Sequence, residues 1–225
     1  MQIKPPQLQG IAWLQGLAYF FLLALILKLS YVLLGTWLAE LKSWQVAAII
    51  HGLIAAFIVF KTPAPWGIRG LFQEAGIYLA LSLIGMSIIA VWWSAGWQGL
   101  SRAFFWHWQD SLVLLLIPII EELVFRFGLG NLLKRILGSF WGGYFSILLF
   151  AWVHILASAP SELSNYLILP LGPLLLGLTC EVLWQRSQKI LVPILLHIAA
   201  NMTALIFHYG DPSWLTKLGS FYLAS

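Results

Sequence analysis

Apolar residues run through this chain in blocks too long and too continuous for the helices of a soluble protein. Taking roughly 20 apolar residues per membrane-spanning helix, seven blocks qualify, near residues 11–38, 46–60, 71–95, 108–127, 139–158, 166–184 and 190–209. The first is long and carries Lys28, which predicts a tilted helix or one with an interfacial extension. The second is short, so flanking Lys42 and Lys61 must snorkel toward the interface. Breaker-rich stretches separate the blocks: KTPAPWGIRG at 61–70, SAGWQGLSR at 94–102 and ASAPSEL at 157–163. No A-x-A site follows the first block, which therefore reads as a span and not as a cleaved signal peptide. With no internal repeat and no room for a soluble domain, the pattern predicts an all-α fold. It is a polytopic membrane helix bundle of about seven transmembrane helices, eight being the alternative, in a single integral membrane domain over residues 1–225.

Composition agrees. Hydrophobic residues make up 61% of the chain and charged residues only 9%, with a mean hydropathy of +0.89, far from the soluble globular range. The net charge of +4 does not point to nucleic acid, because the twelve Lys and Arg stand singly or in pairs and form no basic run. They read as topology signals and contacts with lipid headgroups. The N-terminus and segments 61–70, 128–138 and 185–189 carry seven of them, whereas the alternate side carries three, Lys42, Arg102 and Lys217. Lys and Arg accumulate on cytoplasmic loops, so the N-terminus is expected in the cytoplasm. Cys180 is alone, which leaves no intramolecular disulfide, no CxxC pair and no His/Cys zinc cluster.

Against this background the segment PIIEELVFRFG, residues 118–128, stands out. A charge near the middle of a spanning helix costs about 2.5–3.5 kcal/mol on insertion scales, and here Glu121, Glu122 and Arg126 fall together. At 100° per residue, Glu122 and Arg126 share a helix face and are expected to pair, while Glu121 points elsewhere without a local partner. Pro118 frees the carbonyl of Leu114 from its helical bond, which kinks a helix and commonly marks a cavity. Two further spans carry polar i, i+4 pairs: Phe150 and His154 in FAWVH, and His197 and Asn201 in HIAAN. Glu with His can orient and deprotonate a water. His with Asn can donate hydrogen bonds to the oxyanion of a tetrahedral intermediate. This is a hydrolase constellation without a Ser or Cys nucleophile, and no GxSxG, HExxH or GxxxxGK[ST] motif competes with it.

These residues resemble a known family. EELVFR fits EExxxR, FAWVH fits FxxxH and HIAAN fits HxxxN, in the order and approximate spacing of the CAAX-processing endoprotease and bacteriocin-processing family of glutamate-dependent intramembrane proteases. The stretch GPLLLGLTCEVLWQRSQKILVPILLHIAAN (172–201) is also similar to that family's final conserved stretch, so the resemblance covers about residues 110–205. It implies an endopeptidase in which Glu121 and His154 activate the hydrolytic water, His197 and Asn201 form the oxyanion hole, and Glu122 and Arg126 are the supporting pair, with no cofactor. Eukaryotic members of the family cut prenylated protein C-termini; bacterial members mostly lack such substrates, and that specificity does not transfer to this chain.

Each residue also has a plainer reading. His154 and Asn201 could serve as interhelical hydrogen-bonding glue, and Phe150 as packing at the cavity wall. His51, His107 and His208 read as interfacial or incidental. Glu181 is expected near a span end, reaching the interface or Arg186, and the thirteen Trp as an aromatic belt around loops such as that flanked by Trp92, Trp93, Trp97, Trp106 and Trp108. The Glu121–Glu122 pair differs, because two carboxylates with one Arg leave an excess charge that packing does not require. Two alternatives to the metal-free protease use the same groups: a divalent metal on Glu121, His154 and His197 with bound water as nucleophile, or a non-catalytic scaffold or transporter using the charges as a docking cavity or proton relay. The expected partners are membrane lipids and a peptide or protein substrate, with or without a lipid group.

Overall fold

A computed structural model of the protein describes residues 6–62, 64–156 and 171–211. The helices are α1 (Pro6–Trp37), α2 (Ser43–Lys61), α3 (Ala75–Ala103), α4 (Trp108–Glu122), α5 (Leu129–Leu137), α6 (Ser139–Leu156), α7 (Leu171–Ser187) and α8 (Leu191–Gly210). A 3₁₀ turn at Leu71–Gln73 precedes α3, and a π-helical stretch at Leu123–Gly128 joins α4 to α5 without a break. No strand occurs among the described residues, and the all-α class holds. Five helical stretches are long and apolar enough to cross a membrane: Trp13–Trp37, Ser43–Lys61, Ala75–Ala103, Ser139–Leu156 and Leu191–Gly210. Of the other two expected spans, α4 is 15 residues long and the described part of the sixth, α7, is 17.

Two expected loops are helical. Residues 94–102 belong to α3, which turns at Gly96 (φ 61°, ψ −157°) and resumes; glycine adopts this conformation at little steric cost, so the breaker bends the helix without ending it. Residues 128–138 are mostly α5, whose Gly130, Leu133 and Leu137 are buried while Arg135 is exposed. Nine residues with alternating burial are too few for a span but enough for an amphipathic helix, and Lys134 and Arg135 suit the negative end of its dipole. The expected loop at 157–163 lies outside the described residues.

The chain divides into two compact units, Met1–Pro63 with Leu123–Gly177, and Ala64–Glu122 with Leu178–Ser225. In the first, α1 packs on α6 through Gly16 against the Phe145 ring and through Phe20, whose ring lies 6.3 Å from that of Trp152. Close approach of this kind uses small residues because apolar burial gives no advantage over lipid. Within α1, Lys28 Nζ donates to the carbonyl of Leu156 at 2.9 Å, placing a cation at the negative end of α6.

In the second unit α3 packs along α8. Val91, Ala103 and Ile206 form a fully buried cluster, against which Trp106 packs, so that this Trp is core and not belt. Trp92, Trp93, Trp97 and Trp108 are exposed. Ser87 donates to Thr203 at 3.1 Å, and Tyr209 donates to Asp110 Oδ2 at 2.6 Å, fixing α4 to α8. At the other end, Lys189 pairs with Glu74 at 2.5 Å and donates to the carbonyl of Gly70, while Ile190 N–H donates to the carbonyl of Pro65 at 3.0 Å. Segments 64–70 and 185–190 therefore meet at this end of the unit.

Candidate active site

The segment that carries the charges is built around a change of helix type. After Glu122 the backbone widens to i→i+5 bonding over Leu123–Gly128. The backbone between Glu122 and Arg126 is thus wider than the regular α-helix that the face argument assumed, each residue of a π turn advancing by less than 100°. Ser146 of α6 donates to the carbonyl of Phe125 at 2.5 Å, and that carbonyl points at Gly130, where any Cβ would collide with it. Glycine at 130 and serine at 146 thus make room and a partner for the wide turn. Single-turn π segments of this kind cluster at functional sites.

In the second unit, Glu121 and Glu122 close α4 and are 7% and 0% exposed. His197 on α8, 3% exposed, faces both: Nδ1 lies 3.0 Å from Glu122 Oε1, and Nε2 lies 3.6 Å from Glu121 Oε2. The first is a hydrogen bond, and because a carboxylate only accepts, the ring donates through Nδ1. The second exceeds hydrogen-bonding distance. Donation through Nδ1 leaves Nε2 an acceptor in the neutral ring and a second donor in the imidazolium. Asn201 lies one turn further along α8 and is half-buried. Glu181 does not reach the interface: it is 2% exposed and accepts from Gln185 Nε2 at 2.7 Å.

In the first unit, Arg126 is fully buried with its guanidinium 4.7 Å above the ring of Phe150, itself fully buried. A guanidinium stacked on an aromatic face keeps part of the stabilisation it loses on leaving water. Gly177 of α7 allows the packing, since a Cβ there would lie 2.9 Å from the Phe150 ring and 3.5 Å from the guanidinium. His154, half-buried in the last turn of α6, donates through Nδ1 to the carbonyl of Phe150 at 3.0 Å, and its ring lies 5.2 Å from that of Phe150. That bond makes Nε2 the acceptor nitrogen of the neutral ring.

Sequence reasoning missed His51. It is neither interfacial nor incidental: it is 3% exposed, its Nε2 is 2.7 Å from the hydroxyl of Tyr31, and its ring meets that of Phe125. Neither Tyr31 nor His51 stands at an i, i+4 spacing from another polar group that would have marked it. His107 and His208 are exposed. Among the described residues, no group of three or more His, Cys, Asp or Glu is arranged to hold a metal ion.

Apolar helices enclosing buried carboxylates and imidazoles are the build of a multi-pass integral membrane protein with an acid–histidine centre. Residues 103–203 match the family model described as type II CAAX prenyl endopeptidase, Rce1-like. This match agrees with the resemblance read from the three motifs, and the matched stretch contains Glu121, Glu122, Arg126, Phe150, His154, His197 and Asn201. No curated protein and no solved structure matches the chain.

Proposed function

We propose that the protein is an intramembrane endopeptidase of the CAAX-protease type that hydrolyses a peptide bond with a carboxylate-activated water and no metal. The reading rests on one observation above all: two adjacent buried glutamates face one buried histidine within the stretch that matches the family. Glu121 is the general base. It takes a proton from water as the water oxygen bonds to the scissile carbonyl carbon, and His154, whose Nδ1 is held by the Phe150 carbonyl, orients that water through Nε2. His197 and Asn201 donate to the oxyanion of the tetrahedral intermediate. Only the imidazolium form of His197 can donate to Glu122 and to the oxyanion together, and the Glu122 carboxylate is its counter-ion. When the C–N bond breaks, the proton held by Glu121 passes to the leaving amine. Arg126 and Phe150 support the site. The substrate is a peptide or protein with access from the membrane, and the site opens toward a cytoplasm that also holds the N-terminus.

The test is cleavage by protein purified into nanodiscs, using a fluorogenic prenylated C-terminal peptide beside a panel of unmodified membrane peptides. Wild type is expected to cleave at least one of them, Glu121→Ala none, and chelator is expected to leave the rate unchanged. Loss of activity with chelator, restored by zinc, would overturn the metal-free mechanism in favour of a metal-bound water. Equal cleavage by Glu121→Ala would remove the glutamate base.

A further inference from the structure

The segments outside the family match are not only a membrane anchor. His51 on α2 and Tyr31 on α1 are buried, and their 2.7 Å hydrogen bond fixes the plane of the His51 ring. That ring stands perpendicular to Phe125, with centroids 5.3 Å apart and an interplanar angle of 90°. Phe125 in turn stands edge-on to Phe150, at 5.6 Å and 74°. Phe150 is the residue that carries both the Arg126 guanidinium on its face, at 4.7 Å, and the His154 ring at 5.2 Å and 74°. Phe125 and Phe150 are both fully buried, so neither ring can turn without displacing its neighbours.

We infer that Tyr31 and His51 are positioning residues, which hold Phe125 and Phe150 and thereby set the orientation of His154 and Arg126. The path from α1 and α2 to His154 consists of ring contacts in T-shaped geometry, the arrangement favoured by aromatic quadrupoles. It starts from a hydrogen bond whose buried members cannot be satisfied by solvent if it is broken. Phe125 sits in the π-helical turn that Ser146 and Gly130 shape, so its ring direction depends on a backbone that has few ways to relax. The wide turn places Phe125 where His51 of a distant helix can brace it.

The role of the path in catalysis rests on the proposed protease reading, but the path itself does not, and the test separates the two. The proteins are wild type, His51→Ala, His51→Phe and the double variant Tyr31→Phe/His51→Phe, all in nanodiscs. The last two keep aromatic rings in place, and the double variant also removes the hydroxyl that would lose its partner. The first readout is the ring resonance of His154 in histidine-labelled protein, assigned by its disappearance in His154→Gln. It is expected to shift or broaden in His51→Ala and to return to the wild-type position in the double variant. The second is turnover per folded molecule: His51→Ala is expected to lower kcat by about tenfold or more with KM little changed, and the double variant to stay within about threefold of wild type.

An unchanged His154 resonance in folded His51→Ala would overturn the inference, whatever the activity. So would a resonance that fails to return in a folded double variant. If His51→Ala does not fold, the double variant decides: a wild-type His154 resonance supports the ring path and a displaced one refutes it. Absence of cleavage by wild type, with the resonance behaving as expected, would count against the protease reading and leave the positioning role standing.

Discussion

Nδ1 of His197 lies 3.0 Å from Oε1 of Glu122, and the two residues are 75 positions apart in the chain. This bond chooses which nitrogen of the imidazole is committed and which faces Glu121. Glu122→Ala removes that choice and leaves a buried ring nitrogen without its carboxylate. Hydrogen bonds to charged groups contribute about 1.5–3 kcal/mol, so kcat is expected to fall by roughly tenfold to a hundredfold. Glu122→Gln keeps an acceptor oxygen but no counter-ion, and is expected to lie between the two. Steady-state turnover of the three proteins on the best peptide substrate checks the order.

Removing the base should be more severe. Glu121→Ala is expected to lower kcat by about 10²–10⁴, the usual contribution of a positioned general base. Its thermal midpoint should not fall, because a buried carboxylate whose nearest described partner is 3.6 Å away costs more to desolvate than it gains. Melting curves measured beside the activity assay distinguish loss of chemistry from loss of fold.

Asn201→Ala tests the oxyanion assignment separately from the base. Loss of one such donor typically costs about 10²–10³ in kcat. KM should change little, since the bond strengthens as the carbonyl becomes an oxyanion. A variant that raised KM alone would assign Asn201 to substrate binding instead.

The π turn makes a prediction about stability. Gly130→Ala drives a methyl group into the carbonyl of Phe125, and Ser146→Ala deletes the hydroxyl that donates to it. Overpacking and a lost buried hydrogen bond each cost about 1–3 kcal/mol. Both variants are expected to melt below wild type. Because they act on the same carbonyl, the double variant should be less destabilised than the sum of the two, which thermal melts of all three can measure.

Lys28→Met is expected to destabilise the protein although it makes α1 more apolar. The substitution removes the cation that donates to the last described carbonyl of α6. Charge at a helix end contributes about 0.3–2 kcal/mol, and a fall in thermal midpoint relative to Leu29→Met, a lipid-compatible exposed position, measures it.

The membrane class, the all-α build and the residues of the three motifs were legible in the chain itself. Apolar run length and the cost of a charge in hydrocarbon are local properties, so Glu121, Glu122 and Arg126 are conspicuous in any register, and FAWVH and HIAAN mark their residues by i, i+4 spacing alone. The two mistaken loops failed for a local reason as well: Gly96 permits a bend inside α3, and α5 is too short and too mixed to register as a span.

Partnership was another matter. An assumed 100° per residue gave no sign of the π turn over Leu123–Gly128, whose Phe125 carbonyl accepts a hydrogen bond from Ser146, 21 residues away. Likewise His51 looked incidental because its contacts, Tyr31 and Phe125, lie 20 and 74 positions distant, beyond the reach of any periodicity. Periodicity reports which residues share a face of one helix. Which faces of different helices meet, and hence which buried polar groups find each other, is decided by packing across the bundle, and only the tertiary structure carries that information.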